Sequence, residues 1–295
     1  MEYNFSVIVP NRNNKILLER LLMSIPIRDD VEIIIVDDNS DHDILNETNY
    51  PGIGRPNTHV IFTTEGKGAG YARNQGIKHA KGKWLLFADS DDFYNTGAFD
   101  VLSKYIESDI DVLYYNVNSV DSESLRQSNR NKHFDEYINL YLSGKDKSGD
   151  NMRFRRWEPW NKMIRRRFVD QHNLRFDEIP RCNDMIFSLL TSLYTDKFEI
   201  IKTQIYCVTS NPTSITRTQI KKNVFWHCFI CEMKKNVIYD LVHHKAWKSV
   251  YIFLTLCLLK NNGICQTMDY YIMLYKKRKE LKEIITLFKT NIMRL

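Results

Sequence analysis

The chain of 295 residues is 43% hydrophobic and 26% charged, with a formal net charge of +6, the balance of an ordinary globular protein. Its six cysteines lack the spacing of a disulfide framework and its start lacks a basic segment followed by an apolar one. The longest apolar run, 250–259, falls well short of the ~20 residues that cross a bilayer, so a secreted disulfide scaffold and a membrane-spanning chain are excluded and free thiols in a reducing cytoplasm are expected.

The first half alternates strands and helices. Residues 5–10 are an apolar run, residues 15–24 carry Ile16, Leu17, Leu21 and Leu22 at helical spacing, and 31–36 is a second apolar run. The first strand breaks into Asn11-Arg12-Asn13-Asn14 and the second into Asp37-Asp38-Asn39-Ser40. A third strand over 58–63 leads into Glu65-Gly66-Lys67-Gly68-Ala69-Gly70, a loop that turns into a helix ending near Ala80. The fourth, Trp84-Leu85-Leu86-Phe87-Ala88, runs into Asp89-Ser90-Asp91-Asp92. Continuous apolar strands separated by helices predict a doubly wound, mostly parallel, Rossmann-like sheet. Ligands of such sheets bind beyond the carboxyl ends of the strands, so all four polar breaks are expected to face one crevice.

Residue types say what the crevice accepts. Two aspartates at i and i+2 on a strand end suit Mg²⁺ or Mn²⁺, hard cations that take oxygen ligands and share them with a diphosphate. The plain alternative for an isolated Asp-x-Asp is a solvated acidic turn, and the neighbouring motifs favour the metal. Glycines before a helix let backbone approach an anion at the helix N-terminus. No Gly-Lys-Ser/Thr follows those glycines, and Pro10-Asn11-Arg12-Asn13 stands where a dinucleotide fingerprint would begin.

Residues 121–132 and 143–151 have little apolar periodicity and are expected to be mobile surface loops of the kind that carry lids. Charge is uneven: from Arg217 to Leu295 there are fifteen Lys or Arg against five Asp or Glu. The basic clusters there alternate with Phe225, Trp226, Trp247, Tyr251, Ile252 and Phe253. That mixture predicts amphipathic helices that either lie on an anionic membrane surface or pack on the body with a solvated basic face, and it argues against nucleic acid. Cys228-Phe229-Ile230-Cys231, with His227, His243 and His244, has no second cysteine pair, and a buried helix face is favoured over zinc.

Four segments in order, Val7-Ile8-Val9-Pro10-Asn11-Arg12-Asn13, Ile35-Val36-Asp37-Asp38-Asn39-Ser40, Gly70-Tyr71-Ala72-Arg73-Asn74-Gln75-Gly76-Ile77 and Phe87-Ala88-Asp89-Ser90-Asp91-Asp92, resemble family 2 glycosyltransferases of the GT-A fold. The resemblance continues through Trp157-Glu158-Pro159-Trp160-Asn161-Lys162, Leu174-Arg175-Phe176 and Asn183-Asp184-Met185, and fades after Ser214-Ile215-Thr216-Arg217. It implies a catalytic domain over 1–217, with a nucleotide-binding part (1–110) and an acceptor-side part (111–217), followed by a basic helical tail over 218–295.

The resemblance further implies inverting transfer of a sugar from a nucleotide donor, usually a UDP-sugar, to an acceptor hydroxyl. By match to the family's motifs, Asp38 accepts a hydrogen bond from the uracil, Asp89 touches the ribose and Asp91 ligates the cation. Asp184 is the general base, and Asp92 is either a partner behind the metal or a helix N-cap. The chain departs from the pattern twice. Arg12, after Pro10, stands where a tyrosine usually stacks on the base, a role a guanidinium plane can also fill. Asn183 replaces the acid beside the base.

Lys67 and Arg73 are the candidate cations for the diphosphate, although Arg73 equally suits an internal ion pair. Trp157, Trp160 and Lys162 open the acceptor side, with core packing the competing reading for Trp160. The expected activity is extension of a glycan or lipid-linked glycan, such as a bacterial surface polysaccharide, peripherally at the inner face of a membrane. Two rivals are a sugar nucleotidyltransferase, which would carry a Gly-rich, Arg-containing loop straight after the first strand, and a non-catalytic protein that kept the fold. Intact Asp38, Asp89, Asp91 and Asp184 argue against the latter.

Overall fold

The computed structural model describes residues 2–43, 48, 50–210, 222–243 and 271–293. The apolar runs form β1 (Phe5–Asn11), β2 (Val31–Asp38), β3 (Thr58–Thr63) and β4 (Trp84–Phe87), with α1 (Lys15–Ser24) and α2 (Ala69–His79) as crossovers. Every residue of β1, β2 and β4 is buried, as expected of strands covered on both faces. A short β5 (Phe93–Tyr94) and α3 (Ala98–Ser103) lead to β6 (Val112–Asp121), α4 (Lys132–Leu142) and α5 (Asp150–Arg155). A 3₁₀ turn (Pro159–Asn161), β7 (Lys162–Arg165), α6 (Arg166–Gln171), α7 (Met185–Tyr194) and β8 (Phe198–Ser210) follow. The tail contributes α8 (Lys222–His243) and a last helix, α9 (Arg278–Met293).

All eight strands share one sheet in the order β3-β2-β1-β4-β7-β6-β8-β5. Pairings β1/β2, β1/β4, β2/β3 and β6/β8 are parallel, while β7 lies antiparallel between β4 and β6. The two parts expected over 1–110 and 111–217 thus interleave in a single sheet. Strand order reverses at β1, which lies between β2 and β4, and register brings Asn11 level with Asp37 and Ile8 level with Phe87. The carboxyl edges of β1, β2 and β4 therefore open on one side, the place where such sheets take ligands.

Buried Glu32 holds the turn that returns α2 to the sheet. Its Oε1 accepts from Ser6 Oγ at 2.5 Å, Lys81 N at 2.6 Å and Gly82 N at 3.0 Å, so one oxygen of this core carboxylate carries three hydrogen bonds while Oε2 has no partner. On the opposite side of β4, Phe87 meets Phe176 and Phe187 edge to face, and those two rings stack 4.0 Å apart. This aromatic trio seats the start of α7 beside the end of β4.

The segments expected as mobile loops carry defined structure. Asp121 accepts from Ser124 N at 2.9 Å and Val120 bridges to Gln127, while Asp146 accepts from Asn151 N at 2.9 Å at the start of α5. Their hydrogen bonds come from Asp and Ser side chains to local backbone, a mechanism that apolar periodicity does not register. The boundary expected at 217/218, together with Trp247, Tyr251, Ile252 and Phe253, lies outside the described residues. In the described part of the tail, α8 packs on α7: Cys231 and Ile238 share a buried cluster with Phe154, Met185, Ile186 and Leu189. Packing on the body is thus the outcome for α8. Among the described residues no helix is long and apolar enough to cross a membrane.

Gly70 lets α2 approach the loop before α7 closely, since a Cβ there would collide with the carbonyl oxygen of Asp177. Gly70→Ala is expected to destabilise the fold by ~1–3 kcal/mol, read as a lower urea midpoint with an unchanged m-value.

Candidate active site

Three carboxylates gather just past β4. Ligand oxygens of Asp89, Asp91 and Asp92 lie within 4.8 Å of one another. The turn is pinned from outside: Arg20 donates to the Asp91 carbonyl at 2.6 Å and to the Ser122 carbonyl at 2.9 Å, and Asn14 reaches Ser90 Oγ at 3.3 Å. Thr209 on β8 donates its N–H to Asp92 at 2.7 Å and its hydroxyl to the Asp91 carbonyl at 2.9 Å. Burial, then the Asp89 charge, raises the pKa of Asp91, and burial followed by Asp91 and Asp89 raises that of Asp92 well above the carboxylate range. Close acids that resist ionising together, with oxygen as the sole ligand type, fit a divalent cation such as Mg²⁺ or Mn²⁺.

Asp38 at the end of β2 accepts from Gly68 N at 2.7 Å through Oδ2, while its buried Oδ1 has no hydrogen-bond partner. A buried acceptor left open calls for a donor from a ligand. Its neighbour Asp37 is instead structural, accepting from Ser40 N, Ser40 Oγ and the Tyr50 hydroxyl. The loop after β1 ties to the one after β2 through Asn13 N to Ser40 Oγ at 2.8 Å and Asp41 N to Asn13 Oδ1 at 2.7 Å. Pro10 is buried, Arg12 is exposed on that joined rim, and Lys67 is exposed with Nζ 4.8 Å above the Tyr71 ring.

Arg73 is 5% exposed, and its two terminal nitrogens are engaged within the protein. One donates to Asp89 Oδ1 at 2.6 Å and the other to Asn183 Oδ1 at 2.8 Å, with the guanidinium 5.3 Å from the Phe176 ring. Of the two readings open for Arg73, the geometry shows the internal ion pair, which joins the acid cluster to the loop before α7. Asn74, unnoticed in the sequence, holds that loop in parallel, donating to the Phe176 carbonyl and accepting from Phe176 N, both at 2.9 Å.

Asp184 stands at the N-cap position of α7 but makes no side-chain cap hydrogen bond, so its carboxylate is not occupied as a helix cap. Its pKa is pushed up to about 6 by burial, lowered by Arg73, and raised in turn by Glu158 and Asp89. Glu158 is a member of this site that residue patterns did not single out. Its Oε1 pairs with Arg156 at 3.4 Å and its buried Oε2 has no partner.

Two of the expected acceptor residues are core. Trp160 is 3% exposed, stacked 5.9 Å from Tyr206 and tilted against Phe134, so neither ring face is open to a sugar. It reaches the site through Tyr206, whose hydroxyl accepts from Asp89 N at 2.9 Å. Lys162 is 0% exposed, and Nζ donates to the carbonyls of Arg156 and Glu158 and to Asn161 Oδ1, clamping the turn that carries Glu158. Burial lowers its pKa to about 7, opposed by Glu158 and Asp184. Trp157 is half-buried, with Lys235 of α8 5.0 Å from its ring.

The sequence profile of the family described as "Glycosyl transferase family 2" matches residues 6–174. The chain is 26% identical over 208 residues to the putative glycosyltransferase EpsH of Bacillus subtilis, covering 66% of this chain and 56% of that protein. It is 25% identical over 209 residues to the poly(ribitol-phosphate) beta-N-acetylglucosaminyltransferase TarS of Staphylococcus aureus, covering 68% and 35%. The chain therefore spans about half or less of the length of these relatives. Residues 1–349 of TarS, solved with UDP-GlcNAc, align with TM-score 0.61 and 22% identity over 80% of this chain and 70% of that one. The mannosyltransferase PcManGT of Pyrobaculum calidifontis, solved with GDP-Man and Mn²⁺, aligns at 0.55 and 15% over 84% and 66%. Both likenesses are of fold, and the fold is the GT-A architecture expected from the sequence.

Trp160→Ala is expected to cost ~3–5 kcal/mol of stability, measured by urea denaturation. A lost sugar platform would instead leave stability unchanged and raise the KM for acceptor.

Proposed function

The chain belongs to glycosyl transferase family 2, and from that premise we propose that it transfers a sugar from a UDP-sugar to an acceptor hydroxyl with inversion, by a metal-assisted single displacement. The observation that carries this reading is the bracket made by Arg73: it joins the acid cluster to the loop that presents Asp184, so a leaving-group side and a base side face each other across one residue. The open Oδ1 of Asp38 supports recognition of a uracil N–H, with the exposed Arg12 guanidinium available to stack on the base. The UDP-GlcNAc complex of TarS supports a UDP-linked donor.

Asp91, with Asp89 and Asp92 beside it, would hold Mn²⁺ or Mg²⁺, and the PcManGT complex with Mn²⁺ supports that choice. Such a cation neutralises the charge left on a departing nucleoside diphosphate. Exposed Lys67 adds positive charge at the loop before α2. Asp184 takes the proton of the acceptor hydroxyl as it attacks the anomeric carbon from the face opposite the diphosphate. A carboxylate that titrates near 6 is a stronger base than an ordinary one and is still mostly ionised at neutral pH.

The acceptor in this reading is a glycan or lipid-linked glycan at the cytoplasmic face of a membrane. Exposed Lys276, Arg278, Lys279, Lys282 and Lys289 in and beside α9 support contact with an anionic lipid surface. The fold divides, on this view, into a catalytic unit over 1–217 and a helical tail over 218–295.

Calorimetric titration with UDP and a panel of UDP-sugars is expected to give binding that requires Mn²⁺ or Mg²⁺ and that Asp91→Ala abolishes. Binding of no uridine nucleotide under any metal condition would sink the UDP assignment, and binding of no nucleotide at all would favour a non-catalytic protein. Asp184→Asn is expected to lower kcat by ~10²–10⁴-fold with donor affinity kept. In the wild type, kcat/KM should fall on acidification through a midpoint at about 6, because protonated Asp184 cannot accept the hydroxyl proton. A flat profile between pH 5 and 8 would remove Asp184 from that role.

A further inference from the structure

Cys182 occupies the left-handed region, φ 58°, in the turn that passes through Asn183 to Asp184 at the start of α7. Its Sγ lies 3.7 Å from Sγ of Cys228 on α8. One turn further along α8, the Cys231 thiol donates to Asp177 Oδ2 at 3.7 Å and to the Cys182 carbonyl at 3.9 Å. All three are free cysteines. The Cys-x-x-Cys face of the tail helix is therefore docked on the loop that carries the proposed base. Among the described residues the group of His, Cys, Asp or Glu ligand atoms that converges within 4.8 Å is that of Asp89, Asp91 and Asp92.

We propose that Cys182 and Cys228 form a peroxide-reactive thiol pair whose disulfide displaces Asn183 and Asp184 and slows sugar transfer. Its effect on turnover rests on Asp184 being the base. Cys182 donates its S–H to Cys228, and this hydrogen bond, opposed by burial and aided by the positive charge of Arg181, holds the Cys228 thiol below the usual range, while the same bond and burial hold Cys182 above it. Cys228, the sulfur that accepts this hydrogen bond, attacks first. Its thiolate attacks one oxygen of hydrogen peroxide, the O–O bond breaks, and the departing hydroxide takes up a proton as water, leaving a sulfenic acid. Cys182 then loses its proton and its sulfur displaces the hydroxyl from Cys228 as a second water. Two thiols are oxidised to one disulfide and one peroxide is reduced to two waters; a dithiol reverses the change.

A disulfide needs sulfurs ~2.05 Å apart, so the pair must close by more than an ångström. α8 is anchored by Cys231 and Ile238 in one cluster and by Phe225, Trp226 and Phe229 in another, whereas Cys182 sits in a turn. The turn yields, drawing on the 2.8 Å bond from Arg73 to Asn183 and on Asp184 behind it. Misplacing a reacting group by about 1 Å costs on the order of 10²-fold in rate.

The experiment treats the full chain with hydrogen peroxide, then alkylates, digests and maps disulfides by mass spectrometry. The expected result is one dominant cross-linked peptide pair joining Cys182 to Cys228, a fall in UDP-sugar turnover of about tenfold or more, and recovery of both with dithiothreitol. Cys228→Ser should keep its turnover through the same treatment. Absence of the cross-link, a cross-link with unchanged turnover, or equal inactivation of Cys228→Ser overturns the proposal. If no donor is turned over at all, hydrogen exchange over residues 182–190 replaces turnover as the readout, and exchange unaltered by the disulfide overturns it. A failed donor assignment is thereby distinguished from a failed thiol assignment.

Discussion

A guanidinium that is 5% exposed needs its charge met inside the protein, and Arg73 engages its two terminal nitrogens on two elements that are far apart in sequence, while its Nε is left without a partner. Asp89 at the end of β4 takes one nitrogen and Asn183 ahead of α7 takes the other. The spacing between the acid cluster and Asp184 follows from the width of that one planar group. An amide at 183 accepts the same hydrogen bond that a carboxylate would, without adding charge. The positive charge of Arg73 is then shared between Asp89 and Asp184, and burial still outweighs it at Asp184, whose pKa ends at about 6.

Around this bracket the fold supplies stiffness from two sides. Gly70 and Asn74, one turn apart on α2, hold the loop before α7 by close backbone approach and by a pair of 2.9 Å hydrogen bonds. On the other side Trp160 stacks on Tyr206, and Tyr206 receives the Asp89 N–H, so a core aromatic fixes the backbone of the acid cluster without touching a ligand. Lys162 acts similarly on Glu158 from beneath. A site held through hydrogen bonds to rigid neighbours keeps its electrostatics organised before any ligand arrives.

The tail changes in meaning once α8 is seen on the body. Its buried cysteines and Ile238 face α7, and its Lys235 lies over Trp157 beside the Glu158 turn. A helix that was read as either membrane-binding or packed is packed, and among the described residues of the tail the exposed Lys and Arg side chains lie in and beside α9. The same docking brings Cys228 to Cys182, so the tail touches the loop that orients Asp184.

Residue order alone determined the alternation of strands and helices and the acidic strand end at Asp89, Asp91 and Asp92, and the resemblance to a known family added Asp184 as a candidate base. Apolar runs, Gly-rich turns and motif order are local, and local spacing is legible in one dimension. Tertiary structure decided what Arg73 pairs with, why Trp160 and Lys162 are buried, and that Glu158 and Cys228 belong to the neighbourhood of the site. Arg73 with Asp89 spans 16 positions, Cys182 with Cys228 spans 46 and Arg73 with Asn183 spans 110, whereas Lys162 with Glu158 spans 4. They depend on β7 inserting antiparallel between β4 and β6, a choice made by packing across the whole sheet and carried by no single segment.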